Sequence, residues 1–243
     1  MCKAFSCIVD PAGKVTWKLG VDSHSDLAKL GGYKDEVLGE FAKIEITPKN
    51  KNYLFPDEWV YKVDESPVPK WCGKAEKELC LAAHKKWLKK LDKILVRKKI
   101  VHPFRDATPP ATIERKHILL LKKWDLVGGS VWDLVGSLVR GSVRDLVGDS
   151  FGSLVWGSVG SLVWGSVGDS VGDSVGAYAG SFFKTPVWKH VKHPKGKYPF
   201  QPLVTLWNQG LVPSFDGTTW RLHGGPKAAV LFSISKEDLE KYK

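Results

Sequence analysis

The spacing of hydrophobic positions changes twice along the chain, and each change predicts a different kind of structure. Cys2 to Val9 and Val15 to Leu19 are apolar-rich runs separated by Asp10-Pro11-Ala12-Gly13-Lys14, the pattern of a β-hairpin. Ser25 is the expected cap of a short helix at Asp26 to Leu30, which Gly31-Gly32 ends. Ala42, Ile44 and Ile46 then alternate with Lys43, Glu45 and Thr47, as do Trp59, Tyr61 and Val63 with Val60, Lys62 and Asp64. A period of two marks strands, so residues 1–73 are expected to form a small α+β domain built on antiparallel strands.

From Lys74 to Lys99 the period lengthens. Leu79, Ala83, Trp87, Leu91, Ile94 and Leu95 follow helical spacing, while Lys85, Lys86, Lys89, Lys90, Lys93 and Arg97 fill the other faces. This predicts a basic amphipathic helix, followed by a Pro-rich linker, over residues 74–111. Ile113 to Lys123 reads equally as helix or strand.

Trp124 to Phe183 divides without remainder into fifteen tetrapeptides, beginning WDLV, GGSV, WDLV, GSLV. Position four is Val in 12 units, and position one is only Trp, Arg or Gly. Those three share no size, charge or polarity; they share a codon form, any base followed by GG. A twelve-nucleotide unit multiplied in the gene explains this, and position one is then expected to face solvent.

On a continuous α-helix four residues turn about 400°, so the Val stripe would drift about 40° per unit. The 13 glycines of the repeat would also each cost roughly 1 kcal/mol in a helix interior. On a strand, four is twice the period of two, so every Val falls on one face. Residues 112–183 are therefore expected to form a central β-solenoid-like repeat between α+β flanking domains, with a helical hairpin repeat as the alternative. Asp at position two in six units weighs against the solenoid unless that position reaches water.

Residues 184–243 read as a small α+β cap. It begins with a basic loop from Lys184 to Lys197, continues with a helix at Pro202 to Asn208 closed by Gly210, and ends in a hairpin of Thr218 to His223 and Ala228 to Ile234.

Charge sharpens the picture for one segment only. The net charge is +11, and Lys70 to Lys123, with 16 Lys/Arg against five Asp/Glu, carries all of it. An excess this concentrated exceeds what solubility needs, and Lys85, Lys86, Lys89, Lys90, Lys93 and Arg97 are the expected nucleic-acid-binding residues, with Trp71 and Trp87 as stacking groups. The competing reading is a core-packing helix with solvated lysines. The N-terminus lacks the pattern of a secretory or transit segment, so a cytoplasmic location is expected. The longest uncharged stretch, Ser150 to Gly168, has ten Gly or Ser in 19 residues, too polar for a membrane span.

Candidate chemistry is sparse. Cys2 is the catalytic candidate: removal of Met1 would place its thiol beside an α-amino group of pKa about 7.7–8.0, the logic of an N-terminal-cysteine amidohydrolase. Glutamine amidotransferases of that type have Gly after the Cys, and this chain has Lys3. Placement of Cys2 on one face of the first strand is the plainer expectation. His24 suits a helix start better than acid–base work. His190 and His193 fall in a Lys- and Pro-containing loop, and the four cysteines form no Cys-x-x-Cys, so neither metal nor cofactor is expected.

The N-terminal MCKAFSCIV with GKVTWKLGVDSH, and the C-terminal YPFQPLVTLWNQGLVPSFDGTTWRLHGG, resemble the two ends of bacterial and phage proteins met mostly in environmental sequences. These also enclose SV-x-x tetrapeptide repeats of varied length. The resemblance covers nearly the whole chain and implies a phage or mobile-element context, but no catalytic residues, since that family has no assigned activity. The sequence thus leads to a non-enzymatic repeat-containing accessory protein, nucleic-acid-associated or scaffolding. Its partner is expected to be nucleic acid or another polyanion, with self-association through the solenoid ends and no membrane contact. An amidohydrolase and a purely structural interaction module are the rivals.

Overall fold

The computed structural model describes residues 5–34, 39–48, 58–96, 100–128, 139, 143, 155–157, 159–168, 171–184, 188 and 196–243. Their contacts divide into two units, residues 1–97 with 143–155, and residues 98–142 with 156–243.

The first unit is a four-stranded antiparallel sheet in the order β2-β1-β3-β4. Its strands are β1 (Phe5–Val9), β2 (Val15–Thr16), β3 (Ala42–Thr47) and β4 (Val60–Val63). Every residue of β1 is buried because both faces of the sheet are covered. Phe5, Cys7 and Val9 stand opposite Ile46, Ile44 and Ala42, so these six share one face. Ile8 points to the other face and packs with Leu27, Ala28 and Phe41. Leu27 and Ala28 lie on α1 (His24–Gly31), which Ser23 rather than Ser25 caps, its Oγ accepting from the Asp26 amide at 3.3 Å. The Phe5 face receives α2 (Lys74–Leu91), through Trp87 at 5.5 Å and His84 at 5.1 Å from the Phe5 ring.

The second unit holds a three-stranded antiparallel sheet of β5 (Val212–Phe215), β6 (Thr219–Gly224) and β7 (Ala229–Ser235), in that order. Its helices are α3 (Arg115–Gly128), α4 (Trp164–Val167), α5 (Gly172–Gly180), α6 (Gln201–Asn208) and α7 (Lys236–Lys241). Tyr178 of α5 stacks on Trp207 of α6 with centroids 4.6 Å apart and rings 10° from parallel. The Tyr178 hydroxyl accepts from the Val101 amide and the Trp207 indole donates to the Val101 carbonyl, so one backbone position clamps both rings. Lys122 of α3 donates to the carbonyls of Glu240 and Tyr242, filling acceptors at the C-terminal end of α7 that the helix itself leaves open. Gly210, at φ +73°, lies where an added Cβ would sit 3.1 Å from both the Pro103 oxygen and the Pro109 nitrogen, so the turn after α6 needs glycine on two counts.

The expected β-solenoid is not formed. The described repeat residues are mainly helices and turns, and the two sheets among the described residues are small, open and antiparallel. The drift argument assumed an unbroken helix, and that assumption fails at Gly168, whose φ of +73° ends α4 before α5 begins. A helix of nine residues spans little more than two units, over which the Val stripe drifts by about 80°, within the width of an apolar face. Val171, Val175, Ala179 and Phe183 are all buried, and α5 is buried on every side from Ser174 to Gly180. Position one is not uniformly solvent-facing: Trp124 is fully buried and Trp156 is 8% exposed, whereas Trp164 is 38% exposed.

Candidate nucleic-acid interface

Helix α2 starts where the Gly73 amide donates to Glu76 Oε2 at 2.8 Å, half of a capping box, since Gly73 has no side chain to return the bond. Its buried residues are Cys80, Ala83, His84, Trp87 and Leu91. The rings of Trp59, His84 and Trp87 lie against one another, with His84 at 20° to Trp87 and 22° to Trp59. This aromatic stack fixes which side of the helix faces the sheet, and so fixes the opposite side as the exposed one.

Lys85, Lys86, Lys89, Lys90 and Lys93 are all exposed. At about 100° per residue the first four, which lie on α2, fall within an arc of roughly 140°, and the buried set is centred about 150° away; Lys93 follows in the turn after the helix. None of the five forms a salt bridge among the described residues, although exposed Glu78 lies two turns before Lys85 and Asp92 precedes Lys93. Cations outnumber acids at this face, so it carries a net positive charge that favours docking of a polyanion. Arg97, the sixth residue expected here, lies outside the described residues.

The expected stacking groups need correction. Trp87 is 4% exposed and belongs to the core, in contact with Phe5, Trp59 and His84. The aromatic residue at the lysine face is Trp17, half-buried just after β2, with Lys90 Nζ 4.8 Å from its ring centroid. A cation–π contact of this kind at an exposed site contributes about 0.5–1 kcal/mol. Nothing in the local pattern around Trp17 signals it, because its neighbour lies on a helix far along the chain.

His24 is buried at the start of α1, its Nε2 3.1 Å from the Ile44 carbonyl and its Nδ1 3.7 Å from Asp64. Cys2, His190 and His193 lie outside the described residues. Cys7 and Cys80 are buried free thiols and Cys72 is half-buried. A hydrogen bond to Cys80, together with burial, pushes the Cys7 thiol well above its ordinary value, which keeps it protonated and unreactive. No group of three or more His, Cys, Asp or Glu among the described residues is placed to hold a metal ion. Among the described residues no helix is long and apolar enough to cross a membrane.

One arrangement that the sequence did not suggest has the form of a nucleophile and its base. Ser214 Oγ lies 2.7 Å from His223 Nε2, and His223 Nδ1 lies 3.1 Å from the Ala228 carbonyl. With Nδ1–H donating to Ala228, Nε2 accepts from the hydroxyl. Ser214 is only 4% exposed, however. The groove of about 470 Å³ in this unit is lined by Phe104, Arg105, Ala107, Thr108, Pro109 and Pro226, and not by Ser214 or His223. The pair acts as a tie between β5 and β6. Comparison with protein-family models, with curated proteins and with solved structures finds no match to the chain.

Proposed function

We propose that the protein is a non-enzymatic accessory that binds nucleic acid without sequence specificity, through the lysine face of α2. The observation that carries this reading is the set of four exposed lysines in one arc of α2, Lys85, Lys86, Lys89 and Lys90, with Lys93 exposed in the turn just after it, on a helix whose opposite side is anchored in an aromatic core. Lysines presented this way neutralise phosphates and release counterions, and they read no base edges, so affinity without specificity is the natural outcome. A cytoplasmic setting, in a phage or mobile-element context, is part of the proposal. The free thiols of Cys7, Cys72 and Cys80 agree with a reducing compartment.

The test is binding of a fluorescent duplex of about 20 base pairs at about 50 mM salt, followed by anisotropy. The wild-type protein should bind, and a variant with Lys85, Lys86, Lys89 and Lys93 all changed to Gln should bind at least tenfold more weakly. Equal binding by the two proteins, or none by the wild type, would remove the proposal.

A further inference from the structure

We infer that the lysine face of α2 takes single-stranded nucleic acid in preference to duplex, with Trp17 as the platform on which one unpaired base stacks; this rests on the reading of that face given above. Trp17 is held at the flank of the helix, its ring 6.1 Å from that of Phe5 and tilted 56° to it, so its orientation is set by a core residue. Its face is turned to the lysines: Lys90 Nζ stands 4.8 Å from the ring centroid. An ammonium group resting over an indole shows that this face is reached from the side where the phosphates would lie.

A base stacking on Trp17 takes the place of that ammonium, and Lys90 swings to the phosphate beside the base. One cation–π contact is exchanged for a stack and an ion pair, and the exchange is favourable because a stacked base is worth about five- to 150-fold in affinity. Duplex DNA cannot make the exchange, since its bases already stack on one another and offer the protein only their edges and the backbone. Lys85 to Lys90 rise about 7–8 Å along the axis, so a strand that starts on Trp17 and follows the helix meets the remaining lysines of α2 in turn. Single strands are also the form in which aromatic platforms bind without sequence preference.

The experiment compares labelled dT oligomers of about 20 nucleotides with a duplex of about the same length at about 50 mM salt. It uses the wild type, Trp17→Leu, Trp17→Phe and the four-lysine variant, each checked by far-UV circular dichroism. The wild type should bind the single strand at least tenfold more tightly than the duplex. Trp17→Leu should lose that preference with duplex affinity unchanged, and Trp17→Phe, which keeps a ring on Phe5, should retain most of it. The four-lysine variant should lose both ligands. Single-strand affinity within twofold of wild type in Trp17→Leu, or a wild type that binds both ligands equally, would overturn the inference while leaving the lysine face intact. A wild type that binds neither ligand would overturn the lysine reading itself.

Discussion

Trp220 of β6 donates its indole N–H to the buried carboxylate of Asp125 at 3.1 Å, across 95 residues of sequence. Asp125 is position two of the first repeat unit and is 3% exposed. The repeat had suggested that Asp at this position needs a corner with access to water, and here it has a buried donor instead. Its neighbour Trp124 packs edge-on against Phe200, with centroids 5.8 Å apart. The first unit of the repeat is thus a structural anchor of the second unit of the fold.

Removing that anchor should be costly. Asp125→Ala leaves the Trp220 indole buried without this acceptor, and a lost partner of this kind destabilises by about 1–3 kcal/mol. Asp125→Asn retains an oxygen at the same place and should cost less. Urea unfolding followed by tryptophan fluorescence separates the two; equal stability of Asp125→Ala and wild type would show that the contact is not used.

Two glycines of the same helix should respond in opposite directions to the same change. An added Cβ at Gly172 meets nothing within 4 Å, so Gly172→Ala should stabilise by about 0.5–1 kcal/mol through helix propensity and a less flexible unfolded chain. A Cβ at Gly180 would lie 2.6 Å from the Tyr198 hydroxyl and 2.7 Å from Val139 Cγ1, so Gly180→Ala should destabilise by about 1–3 kcal/mol through overpacking. Thermal melts of the two variants check the helical structure of the repeat directly, because a solenoid offers no reason for this contrast.

Much of the first unit was legible in the sequence, and the physical reason is locality. Ala42 to Thr47 alternates in sequence and in burial, because a strand with one face in the core imposes that period. Ala83, Trp87 and Leu91 form the buried side of α2 as their spacing requires, although Leu79 at its start is 42% exposed. What stayed hidden depends on contacts between distant positions. The codon pattern of the repeat describes how a gene grew and is silent on packing, so Trp124 was misread as solvent-facing. Val212 to Phe215 carries Pro213, which local rules read as a strand breaker; the segment is tolerated as β5 because it lies at the edge of its sheet. Trp17, the stacking residue of the candidate site, acquires its meaning only from Lys90.

Acidification should loosen the second unit before it affects carboxylates. Burial holds His102, His117 and His223 below the ordinary histidine value of about 6.5. Each uses a ring nitrogen as an acceptor: His102 from the Phe104 amide, His117 from the Glu114 amide and His223 from Ser214. Protonation removes the lone pair that makes each bond. Because the folded values are depressed, the unfolded chain takes up protons first as pH falls below about 6.5, and stability declines from there until the folded values are passed. Asp216 follows the same sign in a lower window: amide hydrogen bonds from Thr218 and Thr219 and the Arg221 guanidinium hold it below the usual carboxylate range, so its contribution persists until pH falls below about 4. Melting temperatures at pH 7, 6 and 5 should therefore fall steadily, and His117→Gln, which removes one titrating group, should flatten the decline. A melting temperature constant across that range would contradict the account.

The salt dependence of nucleic-acid binding tests the role of the α2 lysines most directly. If all five engage phosphates, log affinity for duplex should fall with log salt at a slope of about −4.5, a loss of about 500-fold between 50 and 200 mM. Changing Lys85, Lys86, Lys89 and Lys93 to Gln should reduce the slope to about −1, since only one of the five lysines remains. A variant that binds with the wild-type slope would place the phosphate contacts elsewhere on the protein and contradict the account.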